Sequence, residues 1–408
     1  MRPVSAEEIE SLAIGAWILG TGGGGSPYLA LLNMRQLYRR GVVCRLMAAD
    51  ELADDDLVAV VSNMGAPLVG QERLTDPKTM ALAVTMMEEY LGRKFRAVMS
   101  LEIGGGNSIQ PFMAAALLDL PVVDADCMGR AFPEAQMTSF AIHDLRMYPL
   151  TLADVRDNAV VVARAASWKW MERISRKACV EVGSIASTCK APRTGWEVKE
   201  CAILGSTSKA IRIGQAVQAA RRAHRDPIDA VLEAEAGIRL FGGKIHDIAR
   251  RTTEGFLRGT AMIEGLDEDR GRGFRLAFQN EFAVGWLDGR PRVMTPDLIC
   301  VLDTVSGDAI GTETLRYGQR VTVIALPAPP ILLTPKGLEH VGPRAFGYDL
   351  DFRSVFAACA TRSPSRSTAS VLVPPTSIPM RLMTRRPIGT RGRSRRRAGR
   401  RAGCLSGS

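Results

Sequence analysis

The sequence predicts an α/β protein with two domains. The N-terminal domain is expected to hold a mostly parallel sheet with flanking helices, and the C-terminal domain is expected to be mixed and β-rich. Short apolar runs alternate with helical patterns between residues 57 and 134, which is typical of parallel βαβ units. Beyond Gly237 short strands and turns dominate, and 408 residues exceed one ordinary core. We place the domains at residues 1–165 and 166–352, followed by a basic tail at 353–408.

The first predicted helix leads into a glycine-rich stretch at residues 20–27. Ser5 and Glu8 form a capping-box pattern, and apolar residues then recur at helical spacing. The stretch contains G-x-G-x-x-G, but a dinucleotide site requires a strand before the glycines. We therefore interpret it as a close-approach turn whose main-chain amides, at the start of a second helix, can hold an anion or a polarised carbonyl. The predicted substrate-binding residues of this turn are Gly22, Gly23 and Gly24.

Three predicted strands, at residues 57–62, 97–101 and 121–123, each end in a polar loop. In a parallel sheet these loops converge on one edge, where open α/β sheets bind ligands. Because neighbouring carboxylates repel, an acidic cluster there indicates a divalent cation, an acid/base pair or a solvent-facing rim. The acidic residues of these loops are Glu102, Asp124, Asp126 and Glu134.

The acidic loops predict a metal site. Asp124 and Asp126 lie two residues apart, so on an extended strand end they point the same way and can share a divalent metal. Glu102 is expected to be the third ligand. In the C-terminal half, the polar stretches at residues 244–247 and 279–281 either face the same crevice or close turns.

Five further residues are candidates for chemistry or substrate binding. Glu134 and His143 are the expected proton carriers. Arg130 suits a carboxylate or a carbonyl as its partner. Asn63 and Asn107 are expected to orient the substrate.

The net charge of +10 comes from the tail, because residues 353–408 contain thirteen arginines and no Lys, Asp or Glu, which leaves −3 on the rest. This distribution argues against nucleic-acid binding by the folded part. Three interpretations of the tail stay open: a basic arm, a disordered tail, or a frame-shifted reading of a GC-rich gene, which we favour. Eight scattered cysteines without a C-x-x-C pair indicate free thiols. No apolar run reaches membrane-spanning length, so we expect no membrane contact and a cytoplasmic location.

Four stretches carry a family resemblance: L-G-T-G-G-G-G-S-P-Y (19–28), E-I-G-G-G-N-S (102–108), P-V-V-D-A-D-C-M-G-R-A-F-P-E (121–134) and G-P-R-A-F-G-Y-D (342–349). Together they resemble the S-methyl thiohydantoin desulfurase domain family, which is often found beside hydantoinase and oxoprolinase proteins. The resemblance covers about residues 5–352 and stops at Phe352, which favours the frame-shift interpretation of the tail.

The resemblance implies an α/β N-terminal domain, a separate C-terminal domain, and chemistry on a five-membered cyclic imide or its sulfur analogue. We therefore expect a hydrolase-like enzyme in which the metal polarises a ring C=S or C=O and activates water. Two alternatives stay open: a non-catalytic partner subunit of a hydantoinase or oxoprolinase, and a nucleotide-binding oxidoreductase. Each of these hypotheses is compatible with a homo-oligomer.

Overall fold

The computed structural model describes residues 1–65, 69, 76–253 and 256–357, which belong to one compact unit. The predicted tail lies outside the described residues from position 358 onward. None of the helices within these ranges is long and apolar enough to cross a membrane. The six cysteines in the described part of the chain are buried free thiols, as the sequence predicts.

Ten strands and eight helices make up the first 222 residues. In chain order they are β1 (Arg2–Pro3), α1 (Ala6–Leu19), α2 (Tyr28–Arg39), β2 (Arg45–Met47), β3 (Leu57–Gly65), α3 (Pro77–Leu91), β4 (Ala97–Ser100), α4 (Gln110–Leu118), β5 (Val122–Val123), β6 (Ala125–Asp126), α5 (Ser139–Ile142), β7 (Leu150–Ala153), β8 (Ala159–Val162), α6 (Trp168–Glu181), β9 (Ile185–Thr194), α7 (Gly195–Cys201), β10 (Ile203–Leu204) and α8 (Ser206–Arg222), as counted over the described ranges.

The remaining elements are mostly strands. They are α9 (Pro227–Glu235), β11 (Ile238–Thr253), β12 (Phe256–Gly265), β13 (Gly273–Gln279), β14 (Glu281–Leu287), β15 (Arg290–Met294), β16 (Leu298–Asp303), β17 (Arg320–Leu326) and α10 (Pro335–Val341). Strands β11–β17 form one antiparallel sheet in the order β15-β14-β13-β12-β11-β17-β16. The predicted β-rich character of the C-terminal half is therefore confirmed.

The first sheet is mixed rather than mostly parallel, which corrects the sequence-based expectation. Its order is β1-β2-β5-β4-β3-β9-β7-β8. Only β2, β5, β4 and β3 run parallel, whereas β9, β7 and β8 add in antiparallel pairs beside β3. The βαβ pattern identified the parallel centre, but it contains no information on the strands that cover the open edge of β3. Strand β9 comes from beyond residue 166, so the sheet spans the predicted domain boundary.

Both faces of the central strands are buried. Successive side chains of a strand point to opposite faces, and β3 follows this rule: Ala59 and Val61 pack against the helical layer that contains α1, α3 and α4. Val58 and Val60 pack into a second cluster on the other face. This double burial explains why the strand reads as a continuous apolar run.

Helix α1 begins where the sequence predicts, and it packs tightly on α8. Ser5 and Glu8 form the reciprocal capping box. A Cβ at Gly15 would lie 1.8 Å from the carbonyl oxygen of Ala210, so glycine is required at this helix crossing. The close contact holds the glycine-rich turn after α1 in a fixed position at the sheet edge.

Candidate active site

A cavity of about 440 Å³ lies where β3 and β4 end. The turn before α2, the helix α6 and the connection between β13 and β14 complete its walls. The lining residues that matter most for chemistry are Asn63, Glu102, Asn107, Lys190, Asn280 and Glu281. The cavity therefore combines the predicted sheet edge with residues from both halves of the chain.

Glu102 follows β4 and is a buried carboxyl in this cavity. Burial raises its pKa from the ordinary value of 4.5 to about 7, against the opposing effect of two hydrogen bonds. The Asn107 amide donates to Oε1, and the Phe132 main-chain N–H donates to Oε2 at 3.2 Å. A carboxyl with a pKa near neutrality can both accept and release a proton at physiological pH.

A chain of hydrogen bonds fixes the orientation of Glu102. The Asn63 N–H donates to Asn107 Oδ1 at 2.7 Å, and the other end of the Asn107 amide donates to Glu102. The Ser187 hydroxyl donates to Asn63 Oδ1 at 3.2 Å. Both asparagines predicted from the sequence therefore lie at the cavity, and Asn107 acts on the carboxyl directly.

Glu281 is a second buried carboxyl, at the start of β14. Burial raises its pKa well above the ordinary value, and the nearby charge of Glu102 raises it further. Its Oε2 is buried and receives no hydrogen bond from the described residues. The side chain lies against Gly23, where a Cβ would be 2.0 Å from Oε1. A side chain at position 23 would therefore force this carboxyl to move.

Part of the glycine-rich turn, which the sequence predicts to bind an anion or a carbonyl, lines the cavity. Gly24 lines it together with Gly25 and Ser26, whereas Gly22 and Gly23 do not. Among the described residues no acceptor is found for the main-chain amides of Gly24, Gly25 and Ser26. Gly24 has φ +74° and packs on the backbone of a second glycine loop, so both conformation and contact require glycine there.

Lys190 brings a positive charge to the same cavity. Its side chain belongs to β9, is 9% exposed, and faces Glu172 and Arg176 on α6. Burial lowers the pKa of its ammonium. Glu172 and Arg176, one helical turn apart, form an ion pair of 2.5 Å.

The two aspartates predicted to share a metal have separate partners. Asp124 accepts from the Ser208 amide at 3.0 Å and the Ser208 hydroxyl at 2.5 Å. Asp126 accepts from the amides of Ile103, Met128 and Gly129 at 2.8, 3.1 and 2.8 Å. Burial raises the pKa of Asp126 to about 6.

The metal prediction gains no support from these contacts. Within the described ranges no group of three or more His, Cys, Asp or Glu side chains could hold a metal ion. N–H and O–H donors occupy both oxygens of Asp124 and one oxygen of Asp126, whereas Asp126 Oδ1 is buried without a partner among the described residues. The divalent metal stays a prediction, and no step below uses it.

Arg130 has a structural position instead of the predicted substrate contact. It is fully buried and does not line the cavity. Its guanidinium donates to the Thr21 hydroxyl at 2.6 Å and to the main-chain carbonyls of Ala131, Asp297 and Phe282 at 3.1 to 3.3 Å. These bonds join the glycine-rich turn to β14 and the segment before β16.

The two predicted proton carriers differ in position. Glu134 lines the cavity and accepts a hydrogen bond from the Gln136 amide. His143 is exposed, follows α5, and does not line the cavity. Of the two C-terminal polar stretches, residues 279–281 reach the site, since Asn280 and Glu281 line the cavity, whereas none of residues 244–247 does so.

The comparisons with known proteins agree with this architecture. The family model of the S-Me-THD-like N-terminal domain matches residues 7–164, and that of the S-Me-THD-like C-terminal domain matches residues 166–355. The chain belongs to the S-Me-THD-like family. The family resemblance seen in the sequence is therefore confirmed, although the match extends to residue 355 instead of stopping at Phe352.

One solved structure supports the fold of this S-Me-THD-like chain. An X-ray crystal structure of a protein from Chromobacterium violaceum is 23% identical, covers 87% of this chain and 100% of its own, and has a TM-score of 0.73. At this identity the likeness concerns the fold alone. No curated protein matches the chain.

Sequence reasoning missed Lys190 in this S-Me-THD-like chain. The residue stands inside I-A-S-T-C-K-A-P-R-T, a strand that is almost fully buried. Lysine is rarely buried, so its presence in such an apolar strand is the signal that could have identified Lys190 as a candidate site residue. Its place at the cavity depends on the pairing of β9 with β3, which local sequence patterns do not contain.

Proposed function

We propose that this S-Me-THD-like chain is a hydrolase that acts on a five-membered cyclic imide of the (thio)hydantoin type. The preferred substrate carries an S-methyl group on the ring and yields the hydantoin and methanethiol. The ring and its S-methyl group are taken from the name of the family. The observation that carries the hydrolysis is that two buried carboxyls with raised pKa values, Glu102 and Glu281, line one cavity of ligand size.

The two carboxyls are assigned opposite roles because their hydrogen bonds differ. Glu102, whose two oxygens accept hydrogen bonds and whose pKa is about 7, is the general base. Glu281, whose Oε2 is buried without a hydrogen bond from the described residues and whose pKa burial raises, is the general acid. Water adds to the ring carbon that bears sulfur, while Glu102 takes one water proton and Glu281 protonates the ring nitrogen. The C–S bond then breaks. Glu102 returns its proton to the leaving methanethiolate, and the new hydroxyl loses its proton to Glu281 as the ring carbonyl forms.

The glycine-rich turn supplies the third part of this mechanism. The amides of Gly24, Gly25 and Ser26, at the start of α2, have no acceptor in the described part of the chain. Main-chain donors of this kind stabilise an oxygen on which negative charge develops. In the proposal they bind the ring carbonyl and hold the ring between the carboxyls.

The test is turnover of synthetic substrates by the purified chain. Methanethiol release from an S-methyl thiohydantoin is followed with a thiol reagent, and the hydantoin product by mass spectrometry. We expect Glu102→Gln and Glu281→Gln each to lower kcat at least about 100-fold, the scale of a general acid or base. The matched control is Glu89→Gln, an exposed glutamate on α3, which should retain full activity.

Two other outcomes would favour the alternatives. Absence of turnover, together with co-purification of a hydantoinase or oxoprolinase subunit, would support a non-catalytic partner. Bound metal found by elemental analysis, with activity lost on chelation and restored on metal addition, would support metal assistance. An increase in the melting temperature of the chain on addition of NAD(P) would support the oxidoreductase alternative.

A further inference from the structure

A second cavity, of about 390 Å³, is bounded by strands β11, β12 and β13 and by the segment after α10. It shares no lining residue with the cavity of the candidate active site, here called the first cavity. Within the described ranges its lining contains three arginines, Arg250, Arg251 and Arg258, and no Asp or Glu. Glu134, which accepts from the Gln279 amide at 3.5 Å, lines the first cavity instead. The second cavity is therefore positively charged.

Two of these arginines have guanidinium donors without acceptors. Arg251 and Arg258 lie directly opposite each other in the β11–β12 pair, so their side chains leave the same face of the sheet. Neither guanidinium forms a hydrogen bond or an ion pair with the part of the chain that the structure describes, and the Arg258 Nε is buried. Arg250, by contrast, donates to three main-chain carbonyls at 3.1 to 3.2 Å. The donors that a ligand can engage are therefore those of the opposed pair.

The pair Arg251–Arg258 is unfavourable by itself. Like charges directly opposite each other on neighbouring strands repel. The buried Arg258 Nε–H adds the cost of a donor that has left water without finding an acceptor. An oxyanion between the two guanidinium groups offsets both effects, because it supplies negative charge and accepts from several N–H donors at once. The pair thus has the chemistry of an oxyanion site.

The charge of the pair favours a phosphate monoester over a carboxylate. A phosphate monoester carries a charge of about −1.5 to −2 at pH 7 and has three strong acceptor oxygens, which suits two arginines. A carboxylate has one charge, so it balances one arginine and leaves the other. The remaining walls suit an organic group, since Phe346 is apolar and the half-buried Tyr348 contributes its ring. Burial raises the pKa of the Tyr348 hydroxyl, which therefore stays a donor at neutral pH.

We propose that the second cavity binds a small phosphate monoester, with the phosphate between Arg251 and Arg258 and the organic group against Phe346 and Tyr348. This site does not depend on the proposed function, because none of its residues takes part in the hydrolysis.

The experiment measures binding to the purified full chain by titration calorimetry, with phenyl phosphate as the probe and benzoate as its carboxylate counterpart. We expect phenyl phosphate to bind at least about 10-fold more tightly than benzoate, because it engages both arginines. Arg251→Met and Arg258→Met should each weaken its binding by about 10- to 100-fold, the scale of a charge-assisted hydrogen bond. Arg292→Met, an exposed arginine on β15 that lines neither cavity, is the matched control and should bind as the wild type does. The arginines of the tail are present in every variant, so they cannot produce a loss at positions 251 and 258.

Four results would overturn the proposal. The first is the absence of phenyl phosphate binding, and the second is equally tight binding of benzoate. The third is a loss of binding in Lys190→Met but not in the two arginine variants, which would place the phosphate in the first cavity. The fourth concerns Glu254, which lies between β11 and β12 in the chain and outside the described residues. If phenyl phosphate binds to Glu254→Gln but not to the wild type, that glutamate is the partner of the arginines. Urea unfolding of each variant without phosphate checks that it is folded, and Arg251→Met should be at least as stable as the wild type because it removes a like-charge pair.

Discussion

Replacement of Glu102 by glutamine should change how stability depends on pH. The folded chain holds the Glu102 proton with a pKa of about 7, whereas an unfolded glutamate has about 4.5. Between these values the folded state binds more protons than the unfolded state, so the free energy of unfolding falls as pH rises through this window. The difference corresponds to about 3 kcal/mol, most of it lost between pH 5 and 7.5.

The assay is urea unfolding of the wild type and Glu102→Gln at pH 5, 6, 7 and 8, followed by tryptophan fluorescence. Asn107 and Phe132 both donate to Glu102, so the NH2 group of the glutamine faces one of these donors, which lowers the stability of the variant at every pH by about the same amount. The informative quantity is therefore the difference between the two pH curves. The free energy of unfolding of the wild type minus that of the variant should decrease by about 2 to 3 kcal/mol from pH 5 to 8.

Other buried carboxyls do not obscure this comparison. Burial also raises the pKa values of Asp126 and Glu281, so the wild type loses further stability in the same direction. The Asp126 contribution is common to both proteins, whereas the loss of the Glu102 charge lowers the pKa of Glu281, so part of the Glu281 contribution stays in the difference with the same sign. Glu89→Gln, with its exposed side chain, should run parallel to the wild type. If Glu102→Gln also runs parallel, Glu102 has an ordinary pKa and the proposed base is wrong.

Three more predictions address the site and its support. First, kcat/KM should rise with pH through about 7, because Glu102 must be ionised to act as a base; a profile without a group near 7 contradicts that role. Second, Gly23→Ala should displace Glu281 and lower kcat at least tenfold, whereas Gly273→Ala, where a Cβ meets open space, should not; equal activities would remove the positional argument. Third, Arg130→Met should lower the free energy of unfolding by about 3 kcal/mol or more, since several buried acceptors lose their donor. If Arg130→Met is as stable as the wild type but inactive, the result would support the predicted contact between Arg130 and the substrate.

Local patterns predicted the parts of the fold that local physics determines. The capping box of Ser5 and Glu8 fixes the start of α1, and the apolar runs at 57–62 and 97–101 correspond to β3 and β4. The mixed character of the sheet was not predictable, because β9 reaches β3 from more than 100 residues further along the chain.

The expectation that Asp124 and Asp126 point the same way used a local rule beyond its range. Alternation along a strand places residues two apart on one face only while the strand continues. Here β5 belongs to the first sheet and β6 to a separate pair with β10, so the chain leaves one ladder and joins another at Asp124. Each aspartate consequently meets its own donors: Ser208 for Asp124, and three main-chain amides for Asp126.

Arg130 and Lys190 are buried cations in different surroundings. Both cations are buried, and burial lowers the pKa of each. Arg130 donates to a hydroxyl and to several carbonyls away from the first cavity, so its donors are satisfied within the protein although burial lowers its pKa to about 10. Lys190 lines the first cavity, where burial lowers its pKa and the charges of Glu172 and Glu102 act in the opposite direction. Since Glu102 and Glu281 oppose folding at the same place, the unfavourable ionisable groups converge on one cavity, as is typical of sites that serve a ligand.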